Sequence, residues 1–290
     1  MALVLACGIA ISACGRPPGN LSPEFDGATA LDLVRQQVDF GPRTPGSPGH
    51  AQIQPWIEDG LDRSGWLIVR QTFTFADVPL LNLIGRLEGG TGPLVVLGAH
   101  YDTRPHADRD PVDPLAPVPG ANDGASGVAV LLELGRVLPA EGLACDLRLA
   151  FFDAEDSGRI EGWDWSLGAS HFAEQLEPRP AAVVVDMVGD EDLRVLRERN
   201  STPDLVDSIW AAASQSGNEA FVDEPGPALI DDHIPFLERG WPAVDIIDFT
   251  YPYWHTTEDT VDKVSAESLQ QVGRTLVTWL GSFCGKTTEG

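Results

Sequence analysis

Cationic side chains are scarce in this chain. Nineteen Lys and Arg stand against 44 Asp and Glu, a formal net charge of −25 over 290 residues. A surface of that sign repels nucleic acid and anionic membranes, both of which attract basic patches. Cysteine is scarce too, with four in all, and Cys7 and Cys14 lie in the first fourteen residues. The remaining pair, Cys145 and Cys284, is too small for a disulfide framework or a cysteine-type zinc site. Those two are either buried thiols or, in an oxidising compartment, a single bridge. No Gly-x-Ser-x-Gly stretch with suitable partners is present, which argues against a nucleophilic hydrolase. The chain also lacks an internal repeat and any domain-sized shift in composition.

What is present begins with a leader. The start, MALVLACGIAISAC, reads as a secretory apolar segment too short to span a bilayer. Ile11-Ser12-Ala13-Cys14 resembles a bacterial lipobox, although a basic segment ahead of it is missing. Such a box implies lipidation at Cys14, the only membrane attachment expected, and an exported lipoprotein of the bacterial cell envelope, periplasmic or cell-surface. The Pro- and Gly-rich stretch that follows reads as a tether. Residues 1–22 are therefore set apart from 23–285, which read as a single domain.

Within that domain two helical patterns come first. Leu31, Val34 and Val38 share one face; Ile53, Trp56, Ile57 and Leu61 share another, with Pro55 placing a start or a kink there. GPRTPGSPGH between them reads as a loop. Two partly alternating segments, 66–75 and 81–87, read as a strand pair. The pattern then changes to apolar strands at 94–99, 147–152, 181–186 and 243–249, separated by helices at 124–138, 166–176, 203–216 and 230–239, with a last helix starting at Ser265. Strands alternating with helices predict an α/β fold: a three-layer α/β/α sandwich around a mixed, mostly parallel sheet.

Three of these strands run straight into polar residues. Residues 94–99 lead into His100-Tyr101-Asp102, 147–152 into Asp153-Ala154-Glu155-Asp156, and 181–185 into Asp186. Open α/β sheets present their sites at the carboxyl ends of their strands. His100, Asp102, Asp123, Glu155, Asp156, Asp186 and His255 together form a nitrogen and oxygen donor set suited to Zn²⁺ or another divalent ion. Asp102, two residues after His100, can orient that imidazole. Glu155-Asp156 offers one ligand and one free carboxylate for acid/base work. Taken singly, each has a blander reading: Asn122-Asp123-Gly124 can simply cap the next helix, and a Glu-Asp pair is usually solvated. Their order and repeated position at strand ends favour the metal.

These motifs, His100-Tyr101-Asp102-Thr103, Ala121 to Gly127, Phe151 to Asp156, Val185-Asp186-Met187 and Trp254-His255-Thr256, resemble the zinc aminopeptidase family that also contains the glutaminyl-peptide cyclotransferases. The resemblance implies a zinc-peptidase-like catalytic domain, with Asp123 as the bridging ligand and Asp156 and His255 completing the first zinc site. His100 and Asp186 would hold a second zinc where one is present. Asp156 stands where many relatives carry Glu. Glu155 is implied as the acid/base. Asp231-Asp232-His233-Ile234-Pro235-Phe236 and the segment from Asp164 to Phe172 lean towards the cyclase branch, which uses one zinc and turns Asp186 to the substrate amine, with Asp231 beside it. That branch converts N-terminal Gln to pyroglutamate; the aminopeptidase branch hydrolyses the first peptide bond with two metals. A non-catalytic binding protein on the same fold would have lost ligands, and none is lost.

The expected partner is a peptide or protein with a free N-terminus, acted on by a monomer. Trp254, Trp163 and Ile230 are expected as pocket walls, with His233 supporting Asp186 or the pocket floor from behind. His106 and the acidic loop 107–113 are candidates to cover the site. His50 and His171 read as structural.

Overall fold

The computed structural model describes residues 24–87 and 89–285. The leader, with Cys7 and Cys14, lies outside the described residues. Among those described, no helix is long and apolar enough to cross a membrane.

The chain opens with α1 (Gly27–Asp39), capped by the Asp26 carboxylate, and α2 (Pro48–Arg63). α2 starts seven residues before Pro55, inside the stretch expected to be a loop. Ser47 accepts a hydrogen bond from the His50 amide, and Pro48 sits in the first turn. A Ser cap followed by Pro is a strong helix start, and it outweighs Pro55 further along. β1 (Leu67–Phe75) and β2 (Val78–Leu87) then form an antiparallel hairpin.

Next come β3 (Leu94–His100), α3 (Ala125–Val137), β4 (Asp146–Phe152), α4 (Leu167–Gln175) and β5 (Ala181–Asp186). A short β6 (Val195–Arg197), α5 (Pro203–Gln215) and β7 (Phe221–Pro225) follow, and β6 and β7 pair in parallel as a small separate sheet. The sequence pattern did not point to that sheet, because its strands are three and five residues long. α6 (Ile234–Glu238) is shorter than the sequence implied. Asp231 and Asp232, which the sequence pattern put inside this helix, precede it and are buried. β8 (Ala243–Ile247) and α7 (Ala266–Cys284), capped by Ser265, complete the chain.

The main sheet has the order β1-β2-β4-β3-β5-β8. The hairpin and its junction with β4 are antiparallel, while β4, β3, β5 and β8 run parallel. Period-two alternation divides the core between the two faces. Val95, Leu97, Leu149, Phe151, Val183 and Val185 face the large cluster under α1, α2, α3, α5 and α7. Val96, Ala150, Phe152 and Ala182 face a smaller cluster under α4 and α6. The mixed three-layer sandwich expected from the sequence is the fold observed.

Two glycines set how closely α3 approaches the sheet. A Cβ at Gly127 would stand 2.1 Å from the Val185 carbonyl oxygen, and one at Gly124 would stand 2.4 Å from that of His100. Only glycine lets the start of α3 sit this low, which carries Asp123 down to the strand ends.

Cys145, beside the start of β4, is bonded to Cys284 at the end of α7 across 139 positions of sequence. Closing so long a loop restricts the unfolded chain. Cys284→Ser is expected to lower the unfolding free energy by about 2–4 kcal/mol, read as a fall in the urea midpoint. An unchanged midpoint would mean that the bridge adds nothing to stability.

Candidate metal centre and active site

The four parallel strands place their carboxyl ends side by side. β3 ends at His100, β4 runs into Glu155 and Asp156, β5 ends at Asp186, and the loop after β8 brings in His255. Asp123 enters from the turn before α3. Several residues here adopt positive φ without being glycine, among them Ala154 (57°), Met187 (45°) and His255 (57°). Each lies at or next to a site residue. Such backbone persists only where surrounding contacts enforce it.

Two buried aspartates hold two of the loops that carry site residues. Asp102 accepts hydrogen bonds from the amides of Glu155 (3.0 Å) and Asp156 (3.1 Å). Asp259 accepts from the amides of Asn122 (2.8 Å) and Asp123 (3.1 Å), and from the Tyr251 hydroxyl. Each carboxylate grips the backbone of one ligand-bearing loop. Arg43, fully buried, donates to the carbonyl oxygens of Tyr101, Pro119 and Gly120 and so joins the segments carrying His100 and Asp123. Asp102 also lies 3.4 Å from His100 Nδ1, an ion-pair distance behind that imidazole. Asp259 and Arg43 carried no mark in the sequence, since a lone Asp or Arg in a loop is commonplace.

Two donor sets result. His255 Nε2 is 3.1 Å from Asp156 Oδ1 and 3.8 Å from Asp123 Oδ2. His100 Nε2 is 3.2 Å from both Asp123 Oδ1 and Asp186 Oδ1. Ligands about 2.0–2.1 Å from a tetrahedral ion stand roughly 3.3 Å apart. Each set therefore has the spacing of a zinc shell, and Asp123 serves both with one oxygen each. The buried Asp156 Oδ2 makes no hydrogen bond within the protein, as expected of a carboxylate whose partner is an ion. The residues present fit zinc.

Residues 82–280 match peptidase family M28. The chain belongs to peptidase family M28. The crystal structure of a Bacteroides thetaiotaomicron glutaminyl cyclase bound to N-acetylhistamine is similar, with a TM-score of 0.83 and 31% identity, covering 90% of this chain and 99% of that one. A zinc-dependent exopeptidase from Parabacteroides distasonis superposes with a TM-score of 0.84 and 29% identity, covering 92% of this chain and all of its own. The bovine glutaminyl-peptide cyclotransferase-like protein is 29% identical over 84% of this chain and 72% of its own length.

In this M28 chain a pocket of about 260 Å³ opens onto the donor sets. Asp123, Glu155, Asp156, Asp186 and Asp231 line its acidic end, and Trp165, Ile230, Phe249 and Trp254 its apolar walls. Ile230 and Trp254 thus stand where the sequence placed them, but Trp163 does not. Its ring packs on Phe75, 5.1 Å away, and Trp165 occupies the wall instead. Two tryptophans two positions apart gave no basis for choosing between them. Of the two places expected for His233, the pocket floor is the one that fits: it is fully buried in a close group with Asp245 and the pocket residue Asp231, and lies 3.4 Å from Glu198 and 3.7 Å from Asp245. His50 is a core residue bonded to Asp153 (2.7 Å), and His171 stacks on Phe73.

Burial, reinforced by neighbouring charges, governs the protonation of this cluster. Burial, then the Asp231 carboxylate, pushes Glu155 well above the usual range. Burial and Asp186 push Asp231 up to about 7. Burial and Asp123 push Asp156 up to about 6. Burial acts on Asp123 in the same direction, but His100 and His255 outweigh it and hold that carboxyl below its ordinary value. A dication bound here would relieve this repulsion. His255→Ala is expected to lose the metal, measured as zinc per chain after dialysis. A fully loaded variant would remove His255 from the ligand set.

Proposed function

We propose that this chain is a zinc-dependent glutaminyl-peptide cyclotransferase, closing an N-terminal Gln to pyroglutamate with release of ammonia. The observation that carries this reading is the pocket. It is smaller than the roughly 300–1,000 Å³ typical of drug-sized ligands, so it suits one residue and its amine, and three carboxylates outside the first donor set face into it. The cyclotransferase names among its relatives support the same reading.

Asp123, Asp156 and His255 would hold a single zinc, which would supply Lewis-acid polarisation of the γ-carbonyl. Asp186 and Asp231 hold the α-amine by charge and hydrogen bonds. Trp165, Trp254 and Ile230 enclose the glutamine stem and keep bulk water off the reacting atoms. The amine nitrogen forms a bond to the γ-carbonyl carbon, and the bond from that carbon to the amide nitrogen breaks. Glu155 accepts a proton from the attacking amine and returns it to the departing nitrogen, which leaves as ammonia. Burial raises its pKa, the direction that favours a group holding a proton between the two transfers.

One observation favours a second reading, a two-zinc aminopeptidase: His100, Asp123 and Asp186 also have ligand spacing. We further infer export, supported by the bonded Cys145–Cys284 pair, since such bonds persist in oxidising compartments, and a lipid anchor at Cys14, which rests on the Ile11–Cys14 motif alone.

Purified protein given a Gln-initiated peptide is expected to release ammonia and carry about one zinc. Free amino acid from a Leu-initiated peptide, with two zincs bound, would replace the cyclase reading by the aminopeptidase one. Glu155→Gln is expected to cut turnover by at least about 10²–10⁴-fold with zinc content unchanged. Loss of zinc in that variant would make Glu155 a ligand and end its role as proton carrier.

A further inference from the structure

The loop between β3 and α3 was expected only to cover the site, but its side chains reach behind the first donor set. Asp108 Oδ1 lies 3.1 Å from His255 Nδ1, on the edge of the ring opposite Asp156 and Asp123. The same carboxylate is forked by Arg104, with Nε 3.1 Å from Oδ1 and Nη2 2.7 Å from Oδ2. The Arg104 guanidinium is itself buried and continues to the other ligand. Its Nη1 donates to the Asp156 carbonyl oxygen (3.1 Å) and lies 3.5 Å from Asp156 Oδ1. Its plane also rests against Trp165, 4.9 Å from the ring centroid, and Trp165 stacks in turn on His255.

We propose that Asp108 is the positioning residue for His255, and that Arg104 locks Asp108 in that role while tying it to Asp156. An imidazole that binds a metal through Nε2 must carry its proton on Nδ1, and a carboxylate at Nδ1 selects that tautomer and fixes the ring plane. Asp108 stands where this requires. Asp102 occupies the matching place behind His100, so one segment, 102–108, backs both imidazoles of the site. The loop also has separate ties that do not touch the imidazole. The Arg109 amide donates to the His255 carbonyl oxygen, and Asp110 accepts from the Thr257 amide (2.9 Å). Holding the loop in place and orienting the ring are therefore distinct tasks of neighbouring residues.

The two tasks separate by mutation. Zinc affinity would be measured on metal-free protein by competition with a chromogenic chelator, which does not depend on what reaction the enzyme performs. Asp108→Ala is expected to weaken zinc binding by about 10–100-fold. Asp108→Asn, whose amide oxygen still accepts from Nδ1 but whose NH2 no longer accepts from Arg104 Nη2, is expected to recover part of that loss. Asp110→Ala, which loosens the loop without touching His255, is expected to stay within about threefold of the parent. Equal weakening by Asp108→Ala and Asp110→Ala would reduce Asp108 to a loop contact. Parent-like affinity in Asp108→Ala, or no recovery in Asp108→Asn, would overturn the orienting role. Absence of zinc binding in the parent protein would defeat the metal assignment itself, a separate result.

Discussion

Repulsion between like charges is the constraint on which this structure turns. Five carboxylates, those of Asp123, Glu155, Asp156, Asp186 and Asp231, are buried together at one edge of the sheet. The positive groups close to them include the imidazoles of His100, His255 and His233 and the guanidiniums of Arg43, Arg104 and Arg159. Leaving a buried charge without a partner costs about 3–5 kcal/mol, so nothing here is free to relax in isolation. Asp123, Asp156 and Asp186 each face an imidazole and Asp231 accepts from the Asp232 amide, while burial pushes Glu155 towards its neutral form. The full burial of Arg43 is an expensive placement that makes sense only beside Asp102, Asp123 and Asp259, whose charges favour its protonated form.

The fold was legible because burial on both faces writes parallel strands as unbroken apolar runs. Residues 94–99, 147–152 and 181–186 could hardly be read otherwise, and each ends within a residue of where the structure ends it. Elements that depend on one cap or on tertiary contact were harder. α2 hinges on Ser47, and β6 and β7 are too short to show a period. The ligand sets were legible for a related reason. A strand end fixes where a side chain points, so the residue type there carries chemical meaning.

What stayed hidden acts through contacts between segments far apart in sequence. Asp259 meets the amides of Asn122 and Asp123 across more than 130 positions, and Arg43 meets the Gly120 carbonyl across 77. No spacing rule reaches so far. Trp165 and Trp163 illustrate the local limit. In an irregular loop, two positions can separate a pocket wall from a ring that packs on the β-hairpin. Function is read most safely where backbone geometry is regular, and this site draws most of its parts from loops.

Asp102 and Asp259 grip the ligand-bearing loops by their main-chain amides alone. The shape of those loops is thus largely indifferent to which side chains they display. At 122, 123, 155 and 156 these main-chain bonds are open to any non-proline residue, because each offers the same N–H, while the side chains of Asn122 and Asp156 make further bonds of their own. A scaffold of this kind separates the inheritance of geometry from the inheritance of chemistry. One family can then move between reactions by trading side chains at fixed positions, without refolding the frame that holds them.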